Sequence, residues 1–248
     1  PSILTLTNLF LGFLAIIYIQ NSEYVQACYF LFLASILDAM DGKLARKIGI
    51  SSSFGKEIDS LADLISFCLA PSILVYSVFA KDNLPLLPAA AISSSPVIMG
   101  AIRLARFNLE DWKDSNRGFF VGLPTPANAL AICAMVLLHY NEHTVSYTQV
   151  NIILPIIVML SFLMTSRISY SKFPILSINI NKANSIKLFS MFIMLIIIII
   201  SFMNDSLHIS LIFFIMYYII GGILLHFMNN SIHLNKLRDT LKNRKRNK

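Results

Sequence analysis

Two pairs of aspartates interrupt an otherwise apolar chain. Asp38 and Asp41 are three residues apart in Leu37-Asp38-Ala39-Met40-Asp41-Gly42-Lys43-Leu44-Ala45-Arg46, and Asp59 and Asp63 are four apart in Gly55-Lys56-Glu57-Ile58-Asp59-Ser60-Leu61-Ala62-Asp63. Helical residues at these spacings project from one face, so two facing helices would gather all four carboxylates. A lone aspartate in a membrane bundle commonly makes a helix–helix hydrogen bond. Four together repel one another, and a bound cation removes the difficulty. Hard carboxylate oxygens favour Mg²⁺, Mn²⁺ or Ca²⁺ over zinc, and Mg²⁺ in particular is often held jointly by carboxylates and substrate phosphates. The chemistry to expect is phosphoryl transfer.

The neighbouring residues fit that chemistry. Gly42 and Ala45 leave a small-residue face beside Asp41, where a ligand can approach the helix closely. Arg46, one turn beyond, offers a forked donor suited to a diphosphate. Gly55 precedes Asp59 by four residues and opens the next helix to the same ligand.

The elements that must carry these residues are membrane helices. The chain has 248 residues, of which 56% are hydrophobic and only 13% charged, the composition of a single all-α polytopic membrane domain. Apolar stretches of about 17–25 residues, long enough to span a bilayer, fall at 3–20, 24–41, 57–80, 85–107, 124–140, 150–166, 186–203 and 207–227, predicting about eight transmembrane helices. Lys43, Arg46, Lys47, Lys56, Arg103, Arg106, Lys113, Arg117, Arg167, Lys172, Lys182 and Lys187 all fall in the loops or span ends of one side, while the opposite loops carry Glu23, Asp82, Glu142 and Asp205 with Lys81 as their only basic residue. Lys and Arg accumulate in cytoplasmic loops, so both termini are expected in the cytoplasm and the polar site near the cytoplasmic face. The net charge of +7 follows from this topology, and no nucleic-acid partner is expected. Residues 1–228 are expected to form the catalytic domain, with its core at about 1–175, and 229–248 a basic cytoplasmic tail that either lies on anionic headgroups or acts only as a topology signal. Cys28, Cys68 and Cys133 fall within spans without metal-site spacing and read as packing residues. The run from Ile3 to Ile19 has neither a basic leader nor a cleavage site and reads as a first span. His139, His143, His208, His226 and His233 are scattered and read as packing or solvated residues.

The pattern D-x-x-D-G-x-x-A-R followed by G-x-x-x-D-x-x-x-D, filled from Asp38 to Asp63, closely resembles the signature of the CDP-alcohol phosphatidyltransferases. These are membrane enzymes that move a phosphatidyl or related group from a CDP-linked donor to a hydroxyl. The resemblance implies that Asp38, Asp41 and Asp59 bind metal and that Asp63 is the general base and also touches a metal. It implies one or two Mg²⁺ or Mn²⁺ ions, with Ca²⁺ able to bind the same oxygens. Thr5, Asn8, Gly42, Ala45, Arg46 and Gly55 match positions that contact the cytidine diphosphate or permit its approach, and the family resemblance favours a homodimer. One departure stands at the start, where Pro1-Ser2 replaces the Pro-Asn common in the family.

Within the family, further segments resemble the bacterial and archaeal phosphatidylserine synthase branch. They are Thr5-Leu6-Thr7-Asn8 with Gly12-Phe13, Ala62-Asp63-Leu64-Ile65-Ser66-Phe67 with Ala70-Pro71, Arg103-Leu104-Ala105-Arg106-Phe107-Asn108, and Gly122-Leu123-Pro124-Thr125-Pro126-Ala127. Ser169-Tyr170-Ser171-Lys172-Phe173-Pro174 follows the branch only loosely. The branch implies CDP-diacylglycerol and L-serine as substrates, and a multi-pass protein of a prokaryotic inner membrane with the active site facing the cytoplasm. A zwitterionic acceptor needs a partner for its carboxylate, and Arg103, Arg106 and Arg167 are candidates, each equally able to anchor topology by snorkelling. The stretch 122–126 is expected to turn the chain into the fifth span. Three alternatives stay open: another acceptor, glycerol 3-phosphate or an inositol phosphate; a divalent-cation transporter; and a non-catalytic lipid-binding relative, which would be expected to have lost at least one aspartate. A transporter should carry polar residues across the bilayer, whereas the outer half of these spans is almost wholly apolar.

Overall fold

The computed structural model describes residues 3–48, 53–110, 119–141, 147–171, 189, 192–193, 196–197, 200–201, 210 and 212–224. Helix α1 (Ile3–Gln20) turns at Ser22, which adopts a left-handed φ of 63°, into α2 (Tyr24–Ile48). Next comes one continuous helical rod, 53–80. It is α-helical over α3 (Ser53–Asp63) and α4 (Ala70–Val75), but widens into π-helical turns at Leu64–Leu69 and Tyr76–Ala80. Pro71 explains the first widening: it has no N–H to offer the Phe67 carbonyl, and the neighbouring Ala70 N–H bonds Ile65 O, five residues back. Helices α5 (Leu86–Ser93) and α6 (Ser95–Glu110) are separated at Ser94, followed by Pro96 in the first turn of α6, where a missing N–H is harmless. Helices α7 (Thr125–Asn141) and α8 (Tyr147–Thr165) complete the well-described bundle, and a further apolar helix covers Ile212–Leu224.

Among the described residues, four helices are long and apolar enough to cross a membrane: Ile3–Gln20, Tyr24–Gly42, Phe54–Ala80 and Leu86–Leu109. They correspond to the first four expected spans. The fifth, sixth and eighth correspond to shorter apolar helices, Thr125–His139, Val150–Thr165 and Ile212–Leu224. The seventh lies mostly outside the described residues, as do the basic tail, Pro1-Ser2 and every histidine but His139. His139 is half-buried, with its ring edge against Phe79 at 5.3 Å.

The packing is that of a bundle with an apolar exterior. On α1, Thr5, Asn8, Leu11, Gly12, Ala15 and Ile19 face inward while Leu6, Phe10, Phe13 and Ile17 are exposed. The more polar stripe is therefore the buried one, the reverse of a water-soluble amphipathic helix. Small residues bring the backbones together, with Ala15, Ala27, Cys28, Ala70, Cys133 and Ala134 nearly or fully buried in the main core. All three cysteines are free and buried. One close approach joins α1 to the first π-helical turn, where a Cβ on Gly12 would fall on the Ser66 side chain and within 2.7 Å of its Cα. Ser66 Oγ donates to the Asn8 carbonyl across the same contact, at 3.0 Å.

One short ladder departs from the all-α expectation. Strand β1 (Phe119–Val121) pairs antiparallel with β2 (Ser169–Ser171), Phe120 opposite Tyr170. After β1, Gly122 takes a φ of +80°, with its N–H bonded to Ile168 O at 2.8 Å and its Cα face pressed on the Met164 carbonyl. A side chain would not fit there. This is the expected turn into α7, and it sets where Thr125 begins that helix.

Candidate active site

The aspartates sit on two different supports. Asp38 and Asp41 lie near the end of the regular α2, whereas Asp59 and Asp63 close α3 just before the π-helical turn. The structure brings the four together. Asp38 lies within charge–charge range of Asp41, Asp59 and Asp63, Asp59 within range of Asp41 and Asp63, and Asp38 reaches hydrogen-bonding range of Asp63.

Their hydroxyl partners differ. Asp41 is buried and accepts a short hydrogen bond from Thr5 Oγ1 of α1. Asp63 Oδ2 accepts from Thr125 Oγ1 of α7 at 3.4 Å, and its Oδ1 is shut from solvent with no hydrogen-bond partner. Arg103 of α6, only 7% exposed, lies within charge range of Asp63 and Asp38 and offsets part of their charge; its Nε has no partner either. A polar bridge holds α6 against α3. Ser60 Oγ donates to Asn108 Oδ1 at 3.1 Å, and Asn108 Nδ2 donates to Glu57 Oε2 at 3.3 Å.

The other expected site residues are placed as follows. Asn8 is fully buried on α1, and neither its amide nitrogen nor its amide oxygen has a partner. Gly42 faces open space, with nothing within 4 Å of where a Cβ would stand, and Gly55 is half-buried on α3. Ala45 and Arg46 lie in the last turns of α2, but their side chains are outside the described residues. Of the candidate acceptor cations, Arg103 alone borders the aspartates among the described residues. Arg106 is tied by its NH1 to the Thr165 carbonyl at 3.0 Å, joining α6 to α8, and Arg167 is exposed. Thr125 was not singled out by the sequence as a partner of Asp63. The nearest signal was its place in the 122–127 segment, which spacing alone does not connect to α3.

Among the described residues, no three acidic, histidine or cysteine side chains converge into a ready-made metal cage, since Asp41 and Asp63 each face a hydroxyl on another helix. The donor chemistry nonetheless fits a hard divalent cation. Asp38 and Asp59, each within charge range of the other three aspartates, offer only oxygen ligands, and Asp63 Oδ1 has unused acceptor capacity in a buried setting.

The family model described as CDP-alcohol phosphatidyltransferase matches residues 1–166, which include the four aspartates, Thr5, Arg103 and Thr125. The chain belongs to the CDP-alcohol phosphatidyltransferase family. Enzymes of that family generally depend on a divalent metal, and their membership together with the four long apolar helices makes this an integral membrane protein. The chain is similar to the CDP-diacylglycerol–serine O-phosphatidyltransferase of Helicobacter pylori, with 39% identity over 173 residues, 70% of this chain and 72% of that protein. It is also similar to the enzyme of the same name from Bacillus subtilis, 37% identical over 70% of this chain and 90% of that one. The archaetidylserine synthase of Methanothermobacter thermautotrophicus is 34% identical, over 69% of each chain.

Proposed function

We propose that this CDP-alcohol phosphatidyltransferase is a phosphatidylserine synthase, transferring the phosphatidyl group of CDP-diacylglycerol to the hydroxyl of L-serine and releasing CMP. The observation that carries this is the complete aspartate signature, Asp38 to Asp63, in a chain whose similar relatives bear that activity in their names. Arg103 supports serine as acceptor: a buried guanidinium with an unpartnered Nε beside Asp63 suits a zwitterion's carboxylate.

Asp38, Asp41 and Asp59 would hold Mg²⁺ or Mn²⁺, as one or two ions, which when bound neutralises charge on the diphosphate and the departing CMP. Thr5 and Asn8 from α1, with Gly42, Ala45, Arg46 and Gly55, flank the cytidine diphosphate. Asp63 takes the proton from the serine hydroxyl as its oxygen attacks the phosphorus bearing diacylglycerol. The new oxygen–phosphorus bond forms as the bond to CMP breaks, in a single displacement. Thr125 holds Asp63 Oδ2, leaving Oδ1 to meet the acceptor. The same reading places eight spans in a prokaryotic inner membrane, both termini and the site on the cytoplasmic side, a basic tail at 229–248, and a homodimer.

The test is CMP release by the purified protein from CDP-diacylglycerol with Mg²⁺ or Mn²⁺, supplying serine, glycerol 3-phosphate, inositol phosphate or no acceptor. Serine-dependent release that a chelator abolishes is the expected result. Release only with another acceptor overturns the serine assignment, and donor binding without any release overturns the transferase.

A further inference from the structure

The helix Ile212–Leu224 lies beyond the residues that the family model matches. It reaches the site through two tyrosines. Its Ile215 and Ile219 are buried in the main core, and Gly222 leaves room for Tyr170 of β2: a Cβ there would stand 2.6 Å from Tyr170 Cε1. Tyr170 is fully buried, yet its hydroxyl has no hydrogen-bond partner. Its ring stacks on that of Tyr218, with centroids 5.7 Å apart and planes at 21°. Tyr218 in turn lies within charge range of Arg103, which borders Asp63. A row therefore runs from the candidate base to the C-terminal helix: Asp63, Arg103, Tyr218, Tyr170.

Two features give this row a ligand-directed character. Buried tyrosine hydroxyls and guanidinium nitrogens normally find partners, yet both Tyr170 OH and Arg103 Nε lack one. Burial also raises the Tyr170 phenol to about 12, so it remains a proton donor under physiological conditions. An unpartnered guanidinium nitrogen beside a stacked aromatic pair suits a small anionic group, and the acceptor's carboxylate is the one that serine transfer requires.

We propose that Tyr218, backed by Tyr170 and seated by Gly222, is a positioning residue that holds Arg103 for the carboxylate of the amino-acid acceptor, so that the C-terminal helix tunes acceptor affinity from outside the family core. This rests on the serine transfer proposed above and adds residues that the family signature does not contain.

Steady-state kinetics of the full chain in lipid–detergent micelles test it. Tyr218→Phe keeps the ring and removes the hydroxyl; Gly222→Ala crowds Tyr170 without touching Arg103. The expected result for Tyr218→Phe is a serine KM raised by up to about tenfold, because the hydroxyl dipole within charge range of Arg103 is removed, with the KM for CDP-diacylglycerol and the thermal midpoint unchanged. Gly222→Ala should raise the serine KM in the same direction. An unchanged serine KM in Tyr218→Phe, or equal rises for both substrates, makes the helix mere packing and overturns the proposal. Because Tyr218→Phe is conservative, loss of folding does not confuse the result. Failure of the underlying reaction is read separately, in the wild type. Turnover with glycerol 3-phosphate but not serine, or no CMP release at all, overturns the serine reaction and this wall's role together.

Discussion

The two aspartate pairs carry the same side chain on different scaffolds. Asp38 and Asp41 ride on an uninterrupted α-helix, whose spacing alone puts them on one face, and Asp41 leans on a hydroxyl from α1. Asp59 and Asp63 stand where the α-helical ladder gives way to a π-helical turn, and Asp63 is drawn between Thr125 of α7 and Arg103 of α6. The first pair lies next to open space at Gly42. The second ends in a carboxyl enclosed by three helices. Under the proposed roles, what packs against each aspartate distinguishes a metal ligand from a base more than its position along the helix does. π-helical turns recur at functional sites because they re-aim side chains without ending the helix.

The sharpest way to break this comparison is Asp63→Asn. CMP release should fall by roughly 10²–10⁴-fold, the range for a lost general base, while CDP-diacylglycerol still binds. Near-normal turnover would place the base elsewhere. Asp41→Asn should act on the other end, raising the half-saturating Mg²⁺ by more than about 100-fold, beyond what loss of an outer partner costs. A metal titration that does not move would remove Asp41 from the cation's ligands.

The hydroxyl partners separate the two pairs more finely. Thr5→Val should raise the half-saturating metal about tenfold, as the loss of a group orienting a metal ligand does. Thr125→Val should instead slow turnover about tenfold at saturating metal. Swapped phenotypes in this pair of titrations would mean that the assignments are reversed. The smallest effect is expected from Ser66→Ala, which removes the bond to the Asn8 carbonyl. It should lower stability by about 1 kcal/mol, seen as a modest drop in the unfolding midpoint in detergent, with activity within about twofold. A large loss of activity would give the first π-helical turn a direct part in catalysis.

Much of the site was legible before folding because it is written in short-range spacing. Intervals of three and four residues place Asp38 with Asp41 and Asp59 with Asp63 whatever the bundle around them. Apolar runs of the right length place the first four long helices. The expected turn at 122–126 also needed only local information, because Pro124 and Pro126 cannot continue a preceding helix without losing a hydrogen bond. Arg103, Arg106 and Arg167 were indistinguishable by type, and only their surroundings separate them: one beside Asp63, one tied to the Thr165 carbonyl, one exposed.

The sequence by itself therefore determined the family's kind of chemistry, the spacing of the candidate residues, and the apolar helices that carry them, since residue type and helical period act within a few turns. Tertiary structure alone decided which hydroxyl meets which carboxylate, that Gly12 lets α1 press on the first π-helical turn, and that Tyr218 arrives next to Arg103. Those contacts join residues up to more than a hundred positions apart. They depend on helix crossings and on where small side chains let backbones meet, which no local pattern encodes.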